Sequence, residues 1–245
     1  MNLFFLGTAG SGKTLLVRAF GEYLEKQGCD VRYANLDAGA DFVPYSPDFD
    51  VRKLFSVAAL MKKYRLGPNG AMIKSAELMV RNAKKIKKEL ARKCDFTLID
   101  TPGQLEIFVF HSSGPEIVRH APRALGIFLA DATLIKKPSD LLMLHLLNIA
   151  TRLRLGAPTI MAVSKADLLK SDARKYFENP GEARALLEGE IETGLETDLR
   201  RELARVIEGI SKTQRYVATS ARKREGMREL FDIINEARCA CGDLG

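Results

Sequence analysis

The chain has 245 residues, 46% of them hydrophobic, enough for one α/β domain with a full core and a helical insertion. Its formal net charge of +7 suits a ligand that carries several negative charges. No run approaches the ~18 uninterrupted apolar residues of a membrane span, and Met1 leads almost at once into an apolar strand with no room for a secretory leader, so a cytoplasmic protein without membrane attachment is expected.

The first apolar run, Leu3 to Leu6, is followed by Gly7-Thr8-Ala9-Gly10-Ser11-Gly12-Lys13-Thr14, a complete phosphate loop of pattern G-x-x-x-x-G-K-S/T. Its glycines let consecutive backbone N–H groups converge on phosphates, and the N-terminus of the next helix adds partial positive charge. Gly10, Ser11, Gly12, Lys13, Thr14 and Leu15 are therefore the candidate ligands of a nucleoside triphosphate. Lys13 would reach the β- and γ-phosphates, and the Thr14 hydroxyl would ligate Mg²⁺. An amphipathic helix should run from Lys13 to about Gln27, stopped by Gly28. The second strand, Val31 to Leu36, delivers Asp37 at its end.

A largely helical insertion, about 41–93, comes next: helices over Val51 to Arg65 and Ser75 to Lys93, broken by Gly67-Pro68-Asn69-Gly70. In its lysine-rich part Ile86 and Leu90 sit one helical turn apart, the mark of a solvated amphipathic face. No aromatic is interleaved with those lysines as a nucleic-acid stacking platform requires, so direct nucleic-acid contact is not expected.

The third strand, Phe96 to Ile99, leads into Asp100-Thr101-Pro102-Gly103-Gln104, the D-x-x-G pattern of GTP hydrolases. Asp100 would hold Mg²⁺ through a water, the Gly103 N–H would sense the γ-phosphate, and Gln104 would orient the attacking water. Strands over Ala124 to Leu129, Thr159 to Val163 and Tyr216 to Thr219 follow. The fifth strand delivers Ser164-Lys165-Ala166-Asp167, similar to the guanine-reading N-K-x-D motif. Asp167 would accept from N1–H and the exocyclic amine of guanine, a donor pair adenine lacks, while the stem of Lys165 lies along the base. After the sixth, Thr219-Ser220-Ala221 supports the same reading, with Ser220 beside the base and the Ala221 N–H offered to the guanine O6. A second charged insertion, about 171–212, lies between. The alternation of strands and helices predicts an α/β fold: a mostly parallel sheet flanked by helices in three layers, in one domain spanning 1–245. Ligands of such sheets bind at the carboxyl ends of the strands, where these polar residues fall. Cys29, Cys94, Cys239 and Cys241 show no C-x-x-C spacing, and the three histidines suggest no metal cluster.

Together these motifs resemble the GTP-binding P-loop proteins and, more finely, the GPN-loop GTPases, over essentially the whole chain. Gly67-Pro68-Asn69, placed between the second and third motifs, carries that resemblance with Asn35-Leu36-Asp37 and Gln104-Leu105-Glu106. The resemblance implies a parallel α/β sheet of the signal-recognition and partitioning class, Mg²⁺-dependent GTP hydrolysis, and a homodimer whose GPN loop enters the neighbouring subunit's site. It further implies that Asp37 places or deprotonates the attacking water, that Gln104 and Glu106 complete its surroundings, and that Asn69 donates to phosphate oxygens from across the dimer. Eukaryotic relatives are linked to RNA polymerase assembly, which implies a protein client. The chain departs from the family at Ala38, where proline is commoner, and at Ser164, where asparagine is usual. Three rivals remain open: an ATP-dependent partitioning or metal-insertion ATPase, a small-molecule kinase, and a nucleotide-gated peptide-binding module using the apolar helix Leu141 to Leu155. Lys165 with Asp167 speaks against the first, and the D-x-x-G-Gln turn speaks against the second.

Overall fold

A computed structural model describes residues 1–169, 198, 201–203, 205, 209 and 216–242. They divide into two compact units, Met1–Leu129 with Thr151–Thr159, and Ala130–Ala150 with Ile160–Gly245.

The first unit is built on parallel strands β1 (Asn2–Leu6), β2 (Val31–Asn35), β3 (Phe49–Asp50), β4 (Phe96–Asp100) and β5 (Ala124–Asp131, to Leu129 in this unit), in the order β3-β2-β4-β1-β5. Both faces of β1 and β4 are covered, so Leu3, Phe4, Phe5 and Leu6 are buried in succession, as are Leu98 and Ile99. That is why these strands read as continuous apolar runs with no alternation. The register pairs Phe5 with Asp100, which sets the end of β4 beside the start of the phosphate loop. Helix α1 (Lys13–Lys26) ends where expected, with Gln27 as its cap and Gly28 at φ 80° beyond it.

The insertion differs from its sequence reading in four ways. Val51–Lys53 is a short 3₁₀ turn, and α2 covers only Val57–Tyr64, between the Ser56 hydroxyl cap and Arg65 in the left-handed region. The GPN stretch starts a helix where a break was expected. Gly67 is the N-cap and Pro68 the first residue of α3 (Pro68–Arg81), where the missing proline N–H costs no helical bond. The expected helix from Ser75 to Lys93 is two: α4 (Ala83–Leu90) follows α3 after Asn82, whose side chain donates back to the Leu78 carbonyl at 2.8 Å. The two-residue β3 was not foreseen. Helices α5 (Leu105–Val109) and α6 (Ser113–Arg119) complete the unit.

The second unit holds the parallel pair β6 (Thr159–Ser164) and β7 (Tyr216–Ala218), and helix α8 (Met227–Gly242). Helix α7 (Pro138–Leu155) has most of its residues here, and its Leu142 packs against Leu146, Ile149 and Leu203. Nearly all of the expected insertion 171–212 lies outside the described residues, as do the side chains of Cys239 and Cys241. Among the described residues no helix is long and apolar enough to cross a membrane.

Candidate active site

The phosphate loop joins β1 to α1 in the first unit. Gly10 and Gly12 take φ of 77° and 91°, the left-handed region that glycine enters without a steric cost. Gly12 caps α1 with no side-chain hydrogen bond, and the first turn contains no acidic residue. The free N–H groups of that turn, with the buried and unpartnered Ser11 hydroxyl, form an anion-binding concavity. Lys13 is buried, and its ammonium donates to the carbonyls of Gly7 at 2.8 Å, Thr8 at 3.0 Å and Gly103 at 3.2 Å. Burial lowers its pKa, against the nearby charges of Asp100, Asp37 and Glu106.

Two acids face this loop from the ends of neighbouring strands. Asp37, after β2, accepts from Gly39 N–H through Oδ1 at 2.8 Å and from Gly103 N–H through Oδ2 at 3.0 Å. The amide expected to sense the γ-phosphate is thus bound to the acid expected to manage the water. Burial raises the Asp37 pKa, and the two amide bonds work in the opposite direction. Asp100, at the end of β4, is 1% exposed, and burial pushes its carboxyl up to about 6 against the neighbouring hydroxyls of Thr14 and Tyr45. Its Oδ1 has no hydrogen-bond partner. An open, buried carboxylate oxygen with a threonine hydroxyl beside a phosphate loop is a donor set that fits a hard divalent cation. Gln104 stands half-buried at the N-cap of α5 without capping it, and Glu106 is exposed in that helix's first turn.

The structure also draws in Tyr45, Asp50 and Arg52, which no motif announced, and gives Asn35 a definite place. Tyr45 Oη donates to Asp100 Oδ2 at 3.1 Å. Asn35 donates to Asp50 and accepts from the Asp37 N–H, which fixes the backbone under the acid. Asp50 is clasped by Arg52, with a closest approach of 2.6 Å. Burial pushes the Asp50 carboxyl up, but hydrogen bonds from Arg52 and Asn35 hold it below the usual carboxylate range. Arg52 reaches on to the carbonyls of Ala40 and Asp41, so the turn after Asp37 is tied down although Ala38 lacks a proline ring. Gly67, Pro68 and Asn69 are exposed at the start of α3 and take no part in this network.

The Ser164-Lys165-Ala166-Asp167 segment belongs to the second unit. Ser164 is buried, its hydroxyl 3.4 Å from the Ala130 carbonyl. Lys165 sits in the left-handed region at φ 55°, a strained position for a side chain with Cβ, and its ammonium pairs with Asp131 at 2.7 Å. Asp131 is fixed in turn by the N–H and hydroxyl of Thr133. The turn carrying Asp167 is stitched to β7 through Ala166 N–H to the Thr219 carbonyl at 3.0 Å. The Ser220 hydroxyl holds the Asp167 carboxyl below its usual range.

A glycine loop with left-handed glycines between a buried parallel strand and a helix, faced by an acid from the adjacent strand, defines a P-loop nucleotide-binding protein. A family model described as a conserved hypothetical ATP binding protein matches residues 5–240. A GPN-loop GTPase of Pyrococcus abyssi is 36% identical over the whole of both chains. GPN-loop GTPase 3 of Saccharomyces cerevisiae is 31% identical, over 76% of this chain and 71% of that protein. GPN-loop GTPase 1 of Dictyostelium discoideum is 27% identical over 97% of this chain, which spans 61% of that longer protein. The crystal structure of a GTPase from Pyrococcus abyssi superposes with a TM-score of 0.91, at 35% identity and 98% coverage of each chain. The chain belongs to the GPN-loop GTPase family.

Proposed function

We propose that this protein binds GTP with Mg²⁺ and hydrolyses it to GDP and phosphate, acting as a homodimeric switch or assembly factor for a protein client in the cytoplasm. The observation that carries this reading is the bond from Gly103 N–H to Asp37 Oδ2, which joins the D-x-x-G turn to the acid after β2. A γ-phosphate that engages the Gly103 amide has to break that bond. Asp37 is then free to accept a hydrogen bond from the attacking water, so phosphate sensing and water placement become one event. Lys13 exchanges its carbonyl partners for phosphate oxygens in the same step, which releases Gly103 from its second tether.

Asp100 and Thr14 are the residues that would hold Mg²⁺, which supplies charge neutralisation for the phosphates when bound. Gln104 and Glu106 flank the water from α5. Asn69, exposed at the start of α3, donates from the partner subunit. Asp167, its carboxyl held below the usual range beside Ser220, selects guanine: adenine would leave the carboxylate without its donor pair. Comparing kcat/KM for GTP and ATP under saturating Mg²⁺ tests the reading. GTP should be favoured by about 100-fold or more, whereas an ATP preference would assign the chain to the partitioning-type ATPases.

A further inference from the structure

Tyr45 lies in no motif, yet its phenol is drawn 55 residues along the chain to the acid at the end of β4. Its Oη donates to Asp100 Oδ2 at 3.1 Å, and Oδ1 of the same carboxylate is buried with no partner. The ring has its own support: it stacks on Tyr33 with centroids 5.3 Å apart, and Tyr33 is held by a 2.8 Å bond from its hydroxyl to Glu25. One oxygen of the carboxylate is thereby occupied by a phenol on a fixed ring, and the other keeps its lone pairs for another ligand. Carboxylates that bind cations depend on such partners for their rotation about the Cβ–Cγ bond.

We infer that Tyr45 is a positioning residue for the divalent cation, fixing the Asp100 carboxylate so that Oδ1 is presented as the acceptor. This rests on the reading of Asp100 as a cation-binding residue. It also adds a second contact to the segment between β2 and β3, which already reaches the D-x-x-G turn through Asp37 and reaches Asp100 through Tyr45.

The test uses the full chain loaded with GDP and measures Mn²⁺ binding by electron paramagnetic resonance, with GDP affinity in EDTA measured alongside. Tyr45→Phe keeps the ring and its stacking and removes only the hydroxyl. It should weaken Mn²⁺ binding by about 10-fold or more and leave cation-free GDP affinity within about twofold. Tyr33→Phe, which removes a neighbouring hydroxyl bonded elsewhere, should leave Mn²⁺ binding unchanged. High Mg²⁺ should restore kcat in Tyr45→Phe. Mn²⁺ affinity equal to that of the unmodified chain, or a parallel loss of GDP affinity in EDTA, would overturn the inference. Asp100→Asn separates the two levels. If it abolishes Mn²⁺ binding while Tyr45→Phe is silent, only the role of Tyr45 falls; if it binds Mn²⁺ normally, the assignment of Asp100 falls with it.

Discussion

Replacing Asp37 by Asn separates chemistry from structure, because the two side chains differ by little except charge and one acceptor. The carboxylate accepts from Gly39 N–H at 2.8 Å and from Gly103 N–H at 3.0 Å. An asparagine keeps its carbonyl oxygen on Gly39 and turns its NH₂ toward the Gly103 N–H, so one charge-assisted bond is lost and two donors face each other. That costs about 1.5–3 kcal/mol, offset in part because a charge is no longer buried, the effect that raises the Asp37 pKa. The net loss of stability should stay within about 2 kcal/mol, or at most about 8 °C in Tm for a chain of this size. GTP affinity should change by no more than a few fold, since the loop amides and Lys13 remain. Turnover should fall by about 100-fold or more, the usual weight of water positioning and general-base help. Single-turnover hydrolysis, a nucleotide titration and calorimetry on one preparation measure all three. Affinity that collapses in step with turnover would refute the reasoning, for it would assign Asp37 to ground-state binding.

The proposed guanine selectivity is tested by Asp167→Asn, which should shift preference from GTP toward xanthosine triphosphate in a competition titration, with the fold unchanged by circular dichroism. A second prediction concerns pH. Burial depresses the His145 pKa to about 4, so between that value and its ordinary 6.5 the unfolded chain binds the extra proton and stability falls as pH falls. The shift corresponds to about 3 kcal/mol. Denaturation curves should therefore show the unmodified chain losing stability relative to His145→Leu between pH 7 and pH 4.5, and a constant difference between the two would show that His145 is not buried in its neutral form. Finally, Gln104→Ala should keep GTP affinity within a few fold and lower turnover by about 100-fold, as read by phosphate release.

The motifs legible in the sequence are those whose residues are near neighbours in the chain. The loop from Gly7 to Thr14, the turn from Asp100 to Gly103 and the pair Lys165 and Asp167 are each local, within a few consecutive residues. Strands β1 and β4, buried on both faces, read as apolar runs, and the six strands expected from the sequence lie within one or two residues of their observed bounds. What escaped is what the fold assembles at a distance. Tyr45 meets Asp100 and Lys165 meets Asp131 across 55 and 34 residues, and neither pair has a spacing to recognise. Strand β3 is two residues long, too short for any periodicity. The break at Asn82 lay hidden because apolar spacing continues through Met79, Ala83 and Ile86, all buried on one side. Pro68 was read as an interruption, although proline is as much at home in the first helical turn as in a loop.

The most direct test of the whole account mixes two inactive subunits. Asn69→Ala keeps the phosphate loop and lacks only the Asn69 amide; Lys13→Ala lacks the phosphate-loop ammonium and still carries Asn69. If Gly67-Pro68-Asn69 completes the partner's site, half of a statistical mixture is heterodimer with one competent site each. GTP turnover should then return to about one quarter of the unmodified level, where either variant alone is poor. No recovery on mixing, or full turnover by Asn69→Ala alone, would contradict a site completed in trans.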